Sequence, residues 1–65
     1  MRTEIKEALV AHALGQKKLH AANAEVYMQN PAGIGEHSDI LEAIQKELDA
    51  MAAANDRLEM LEELG

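Results

Sequence analysis

Apolar residues in the second half of the chain keep a helical rhythm. Ile40, Leu41, Ile44, Leu48, Met51, Leu58 and Leu61 follow one another mostly by threes, fours and sevens. That spacing places them on one buried face of a helix. Asn55 interrupts the row. It is either a partly exposed seam position or a polar residue that fixes register or oligomer state. The first half is organised differently. Ile5, Leu9, Leu19 and Val26 supply bulk, and His12 lies one heptad after Ile5. Beside them run Ala8, Gly15 and Ala22, each seven residues apart. Small residues at that interval let a facing backbone come close and add dispersion contacts. The second half has a comparable small-residue set in Ala43, Ala50, Ala53 and Ala54. Plain helix propensity explains alanine as well.

The two rhythms are separated by one strongly punctuated stretch, Asn30-Pro31-Ala32-Gly33-Ile34-Gly35-Glu36-His37. A residue before proline is pushed out of helical geometry, and glycine permits backbone angles closed to other residues. The pattern therefore predicts a single domain over 1–65, with a helix at 3–29, a loop at 30–38 and a helix at 39–64. Thr3 is the expected N-cap of the first helix, with Glu4 at the positive end of its dipole. Ser38 or Asp39 suits the start of the second, Asp39 and Glu42 having capping-box spacing. Each helix would be about 40 Å long, and equal lengths joined by a short loop point to an antiparallel hairpin. The expected packing seam is Ile5, Ala8, Leu9, His12, Gly15, Leu19, Ala22 and Val26 against Ile40, Ile44, Leu48, Met51, Leu58 and Leu61. His12 is expected to be partly buried there with a hydrogen-bond partner.

Composition supports an all-α fold. Tyr27 is the single aromatic residue, and Phe, Trp and Cys are absent. Sheets lean on aromatic and β-branched residues, which are scarce here. A 65-residue chain buries only about 60% of the surface its unfolded form exposes. Domains of this size usually need a disulfide, a metal or a partner. Without cysteine, good helix packing and oligomerisation remain. A hairpin buries one side of each helix, which leaves Val10, Leu14, Tyr27, Met28, Met60 and Leu64 for another surface to cover. A four-helix bundle of two hairpins, or docking on a larger assembly, follows as the expectation.

Charge narrows the partners. The formal net charge is −6, which argues against nucleic acid and anionic membrane surfaces. The first helix balances Arg2, Lys6, Lys17 and Lys18 against Glu4, Glu7 and Glu25, for +1. The remainder sets Lys46 and Arg57 against nine carboxylates, for −7. First helix against second is thus favoured over second against second. No apolar run approaches the roughly 20 residues that span a bilayer. The start, Met1-Arg2-Thr3-Glu4-Ile5-Lys6-Glu7, has no signal-peptide apolar block, so a cytoplasmic setting is expected.

Candidate chemistry is thin. His12 and His20 are eight residues apart and do not share a helix face. No His-x-x-x-His or Glu-x-x-His spacing occurs, which weakens a helical metal site. Glu47 and Asn23 could lie on seams, but no ligand set is complete. Glu36 beside His37 is explained as well by a solvated loop. Ser38 is explained by capping. Gly33-Ile34-Gly35 lacks the following Lys of a phosphate loop. The expectation is a non-enzymatic module with no cofactor, no metal and no small-molecule substrate. Its partner would be itself or another protein. Tyr27, Asn30, Pro31, Gly33, Ile34, Gly35, Glu36 and His37 form a possible contact point at the hairpin tip, or only a turn.

The stretch Glu25-Val26-Tyr27-Met28-Gln29-Asn30-Pro31-Ala32-Gly33-Ile34-Gly35-Glu36-His37-Ser38-Asp39-Ile40-Leu41-Glu42-Ala43-Ile44 resembles small uncharacterised helical proteins encoded by tailed phages of marine bacteria. Met1-Arg2 and Asp56-x-Leu58-Glu59 extend the likeness, and the Asn-Pro-x-Gly-Ile-Gly-Glu-His loop is its most specific part. Those proteins often carry an aromatic near the C-terminus, whereas this chain ends Glu63-Leu64-Gly65. The resemblance implies a phage origin and a role as a virion component or small accessory factor, in the virion or the host cytoplasm. A small acidic regulator that binds and inhibits a host or viral protein is the alternative. A metal-binding helical bundle is a third.

Overall fold

The computed structural model describes residues 2–29 and 37–65. Two helices account for nearly all of them: α1, Arg2–Gln29, and α2, His37–Leu64, each 28 residues long. They pack on one another as an antiparallel hairpin, 51 Å by 14 Å by 11 Å. Direction is read from the cross-links. Arg2 reaches Leu64, Gln16 pairs with Arg57, Lys17 with Asn55, and His20 with Glu47. Position rises along α1 as its partner's falls along α2. Strong helix formers fill both elements, and no proline interrupts either one.

Both helices begin earlier than expected. α1 starts at Arg2 and α2 at His37, so Thr3 and Asp39 sit inside the first turns and not ahead of them. Helix ends commonly move by a residue or two as the terminal turn tightens or frays. Asp39 and Glu4 still lie in the first turns, where a negative charge meets the free amides. α2 closes on Gly65, whose φ is +84° and whose amide donates to the Glu62 carbonyl at 3.1 Å. Glycine adopts that left-handed conformation without a Cβ penalty. The Arg2 guanidinium donates to the Leu64 carbonyl at 2.9 Å. A cation there neutralises the negative end of α2 and ties the two outer ends of the hairpin together.

The interior is built from heptads. Lys6, Val10, Ala13, Lys17, His20 and Ala24 of α1, and Ile40, Ile44, Glu47, Met51, Ala54, Leu58 and Leu61 of α2, are all buried or half-buried. Their spacing alternates four and three in both helices, the repeat that keeps one seam facing a partner. Among the described residues only Ala13, Ala24 and Ala54 are buried apolar residues, at 1%, 4% and 0% exposure. Burying three methyl groups stabilises the fold by only about 2 kcal/mol. Ordering a single residue costs a comparable amount, about 1–2 kcal/mol. The hairpin's own core is therefore thin.

The contact between the helices takes in most of the expected α2 positions and a different face of α1. Ile40, Ile44, Met51, Leu58 and Leu61 are half-buried, whereas Leu48 stands on the seam's flank and is largely exposed. On α1, Ile5, Ala8, Leu9, His12, Gly15, Leu19, Ala22 and Val26 are all exposed in the hairpin. A Cβ placed on Gly15 would meet nothing within 4 Å, so α2 makes no close approach there. The physical reason is polar matching. α2 presents Glu47 and Asn55 inward, and only the face of α1 that carries Lys17, His20 and Asn23 can satisfy them.

Candidate interaction faces

Polar contacts stitch the two helices along one line. Lys17 Nζ donates to Asn55 Oδ1 at 2.8 Å. His20 Nδ1 donates to Glu47 Oε1 at 2.7 Å, and Asn23 Nδ2 donates to the same oxygen at 3.1 Å. A carboxylate only accepts, so the His20 proton must sit on Nδ1. The Arg57 guanidinium donates to Gln16 Oε1. The His20 hydrogen bond, then the Asn23 one, holds the Glu47 carboxyl below its ordinary value of 4.5. Among the described residues no buried side-chain nitrogen or oxygen lacks a partner. Asn55 is half-buried beside the seam and accepts across it from Lys17. Glu47 and Asn23 do lie on the seam, bonded to each other. Among the described residues no group of three or more His, Cys, Asp or Glu is placed to hold a metal ion. No helix among them is long and apolar enough to cross a membrane.

Large apolar side chains lie outside. Eleven of them among the described residues, from Ile5 to Leu64, are 37% to 70% exposed. Several of them lie along the two edges of the hairpin. Leu14, Leu41 and Leu48 each follow a seam position by one residue, which rotates them to the same flank of an antiparallel pair. The other edge carries Leu9 and Leu64, beside the Gln16–Arg57 bond. There an open groove of about 260 Å³ is lined by Leu9, His12, Arg57, Met60, Leu61 and Leu64. It continues into a smaller groove of about 140 Å³ reached by Ile5, Arg2 and Lys6. His12 therefore belongs to an exposed apolar groove, not to the α1–α2 seam. Among the described residues no side chain supplies the buried hydrogen-bond partner expected for it, because His12 is exposed at the edge of the hairpin, where its α2 neighbours are mostly apolar.

Round the back of α1, Ile5, Ala8, His12, Gly15, Leu19, Ala22 and Val26 form a second row with alternating spacings of three and four. The helix carries two heptad seams, and the hairpin uses one of them. The corresponding outer row of α2 holds Glu42, Asp49, Asp56 and Glu63, seven residues apart and all exposed, with Lys46, Ala53 and Met60 between them. One helix thus turns an apolar back outward and the other an acidic one.

At the tip, Tyr27 is 37% exposed, and His37 opens α2. Asn30, Pro31, Gly33, Ile34, Gly35 and Glu36, the rest of the expected contact point, lie outside the described residues. Apolar period alone does not mark Lys6, Val10, Ala13, Lys17, His20, Ala24 and Ala54, which share the intra-hairpin seam with Glu47. A signal was present. Lys17 with Asn55, and His20 and Asn23 with Glu47, are complementary polar residues whose positions run in opposite directions on the two helices. No family model matches the chain, and no curated protein or solved structure is significantly similar to it.

Proposed function

We propose that this chain is a non-enzymatic structural or adaptor module that works by helix–helix contact with other protein surfaces. One observation carries the reading. The hairpin buries three alanines and leaves eleven large apolar side chains outside, among the described residues. Such a distribution suits a unit that finishes its core on assembly, because continuous exposed apolar strips mark interaction surfaces. The resemblance to small phage-encoded helical proteins is compatible with a place in a particle or an accessory role beside one.

The experiment is sedimentation equilibrium combined with thermal melts over a wide concentration range. Assembly predicts an oligomer whose melting temperature climbs with protein concentration, by mass action. A folded monomer with a concentration-independent melt, and no partner retained from its native source, would remove the reading.

A second reading rests on the acidic outer row of α2, Glu42, Asp49, Asp56 and Glu63. It is a small regulator that binds a basic protein surface. Association that weakens steeply with salt, by a chain that stays monomeric alone, would favour it over self-assembly.

A further inference from the structure

We infer that a second copy of this chain docks on the outward row of α1, with the two α1 helices antiparallel about a two-fold axis near Gly15. The inference rests on the self-assembly reading above and names its interface.

Area is the first argument. The hairpin exposes 5009 Å². A compact monomer of this mass exposes about 4,100 Å² by the usual surface-to-mass scaling. The excess, about 900 Å², comes with the rod shape and is enough surface for the roughly 800 Å² that each partner contributes to a standard stable interface. A second copy of a rod this size supplies that much surface.

Charge rules out pairing through α2 backs. α2 faces outward with Glu42, Asp49, Asp56 and Glu63, so two α2 backs repel each other. At the equivalent places α1 has Ala8, Gly15 and Ala22, uncharged, and its charged side chains sum to only +1. Pairing α1 with α1 leaves both acidic rows facing water.

Shape selects the direction. Ile5, Leu19 and Val26 stand 55%, 57% and 66% exposed, with the small residues between them. In an antiparallel pair each knob of one helix enters beside the alternate position of the other. Leu19 then meets Gly15 of the second copy, Val26 meets Ala8 and His12 meets Ala22. Sliding by one heptad sets Ile5 on Ala22, His12 on Gly15 and Leu19 on Ala8. Large meets small in both registers. A parallel pair sets Gly15 on Gly15, leaving a void, and His12 on His12. The antiparallel contact is also isologous and closes at two copies.

The wild-type chain has no cysteine, so single-cysteine variants report cleanly. Gly15→Cys should cross-link to itself with a short bifunctional maleimide, because the two sites lie within roughly 6 Å along the axis in either register. Val26→Cys should not, its two sites being roughly 27–38 Å apart along the axis. Cross-linking of both variants indicates a parallel pair and overturns the orientation. An independent pair of substitutions tests the face. Leu19→Lys should raise the dimer dissociation constant tenfold or more, while Leu14→Lys, on the opposite edge, should leave it nearly unchanged. A wild-type dimer insensitive to Leu19→Lys, with no Gly15→Cys cross-link, overturns the inference and leaves the self-assembly reading standing. A wild-type chain that is monomeric throughout removes both.

Discussion

Glu47 sits where the α2 seam would otherwise hold an apolar residue, and it accepts from both His20 and Asn23. Its carboxyl is held low mainly by the His20 bond. A group lowered on folding contributes stability above its unfolded value and loses it as pH falls through the folded one. The contribution is therefore whole at neutral pH and is lost progressively as acid protonates the folded carboxyl, below its ordinary value of 4.5. Glu47→Gln should lower the melting temperature at pH 7, with the gap to the wild type narrowing steadily as the pH is taken down into the acid range. An equal gap at every pH would show that the charge is not involved. Ala54 tests the tight part of the seam. It is fully buried, and Ala54→Leu should destabilise the hairpin by about 1–3 kcal/mol through overpacking. Gly15 tests the open part. Within the hairpin nothing stands within 4 Å of its missing Cβ, so at concentrations too low for self-association Gly15→Ala should stabilise the single chain by about 0.5–1 kcal/mol through helix propensity. Urea titration measures both variants.

At the scale of the element, α1 carries two seven-residue rows and has to choose which one meets α2. The apolar row is the more conspicuous in sequence, and Ile5, Leu9, Leu19 and Val26 drew the expected seam onto it. The chosen row mixes Val10, Ala13 and Ala24 with Lys6, Lys17 and His20. A polar group left buried without a partner costs more than an apolar group left exposed gains. Glu47 and Asn55 therefore decide the rotation of α1. The end of the hairpin carries a separate device. Arg2 donates to the last carbonyl of α2, a contact at an exposed helix C-terminus that contributes about 0.3–1 kcal/mol. Arg2→Ala should speed amide hydrogen exchange in the last turns of α2 and leave the Glu47 region unchanged. Uniform acceleration along both helices would mean that the contact matters to global stability instead.

At the scale of the whole molecule, a rod 51 Å long and little more than one helix pair thick has no place to hide eleven large apolar side chains. Their exposure follows from having two layers only. The prediction at this scale is a melting temperature that rises with concentration, since stability and assembly are linked when the core is completed by a neighbour. Scanning calorimetry at two concentrations a hundredfold apart reads it directly. A flat result would mean that the hairpin's thin seam is sufficient alone.

The amino-acid sequence by itself determined the class and the parts. Helix-forming composition, a single punctuated stretch around Pro31 and a clear apolar stripe on α2 left an all-helical two-element chain as the outcome, because these are local properties of propensity and period. Only the tertiary structure decided which face of α1 turns inward. Periodicity finds a face but carries no information about the face opposite to it. That choice depended on Lys17, His20 and Asn23 meeting Asn55 and Glu47 across the hairpin, a match between residues far apart in the chain.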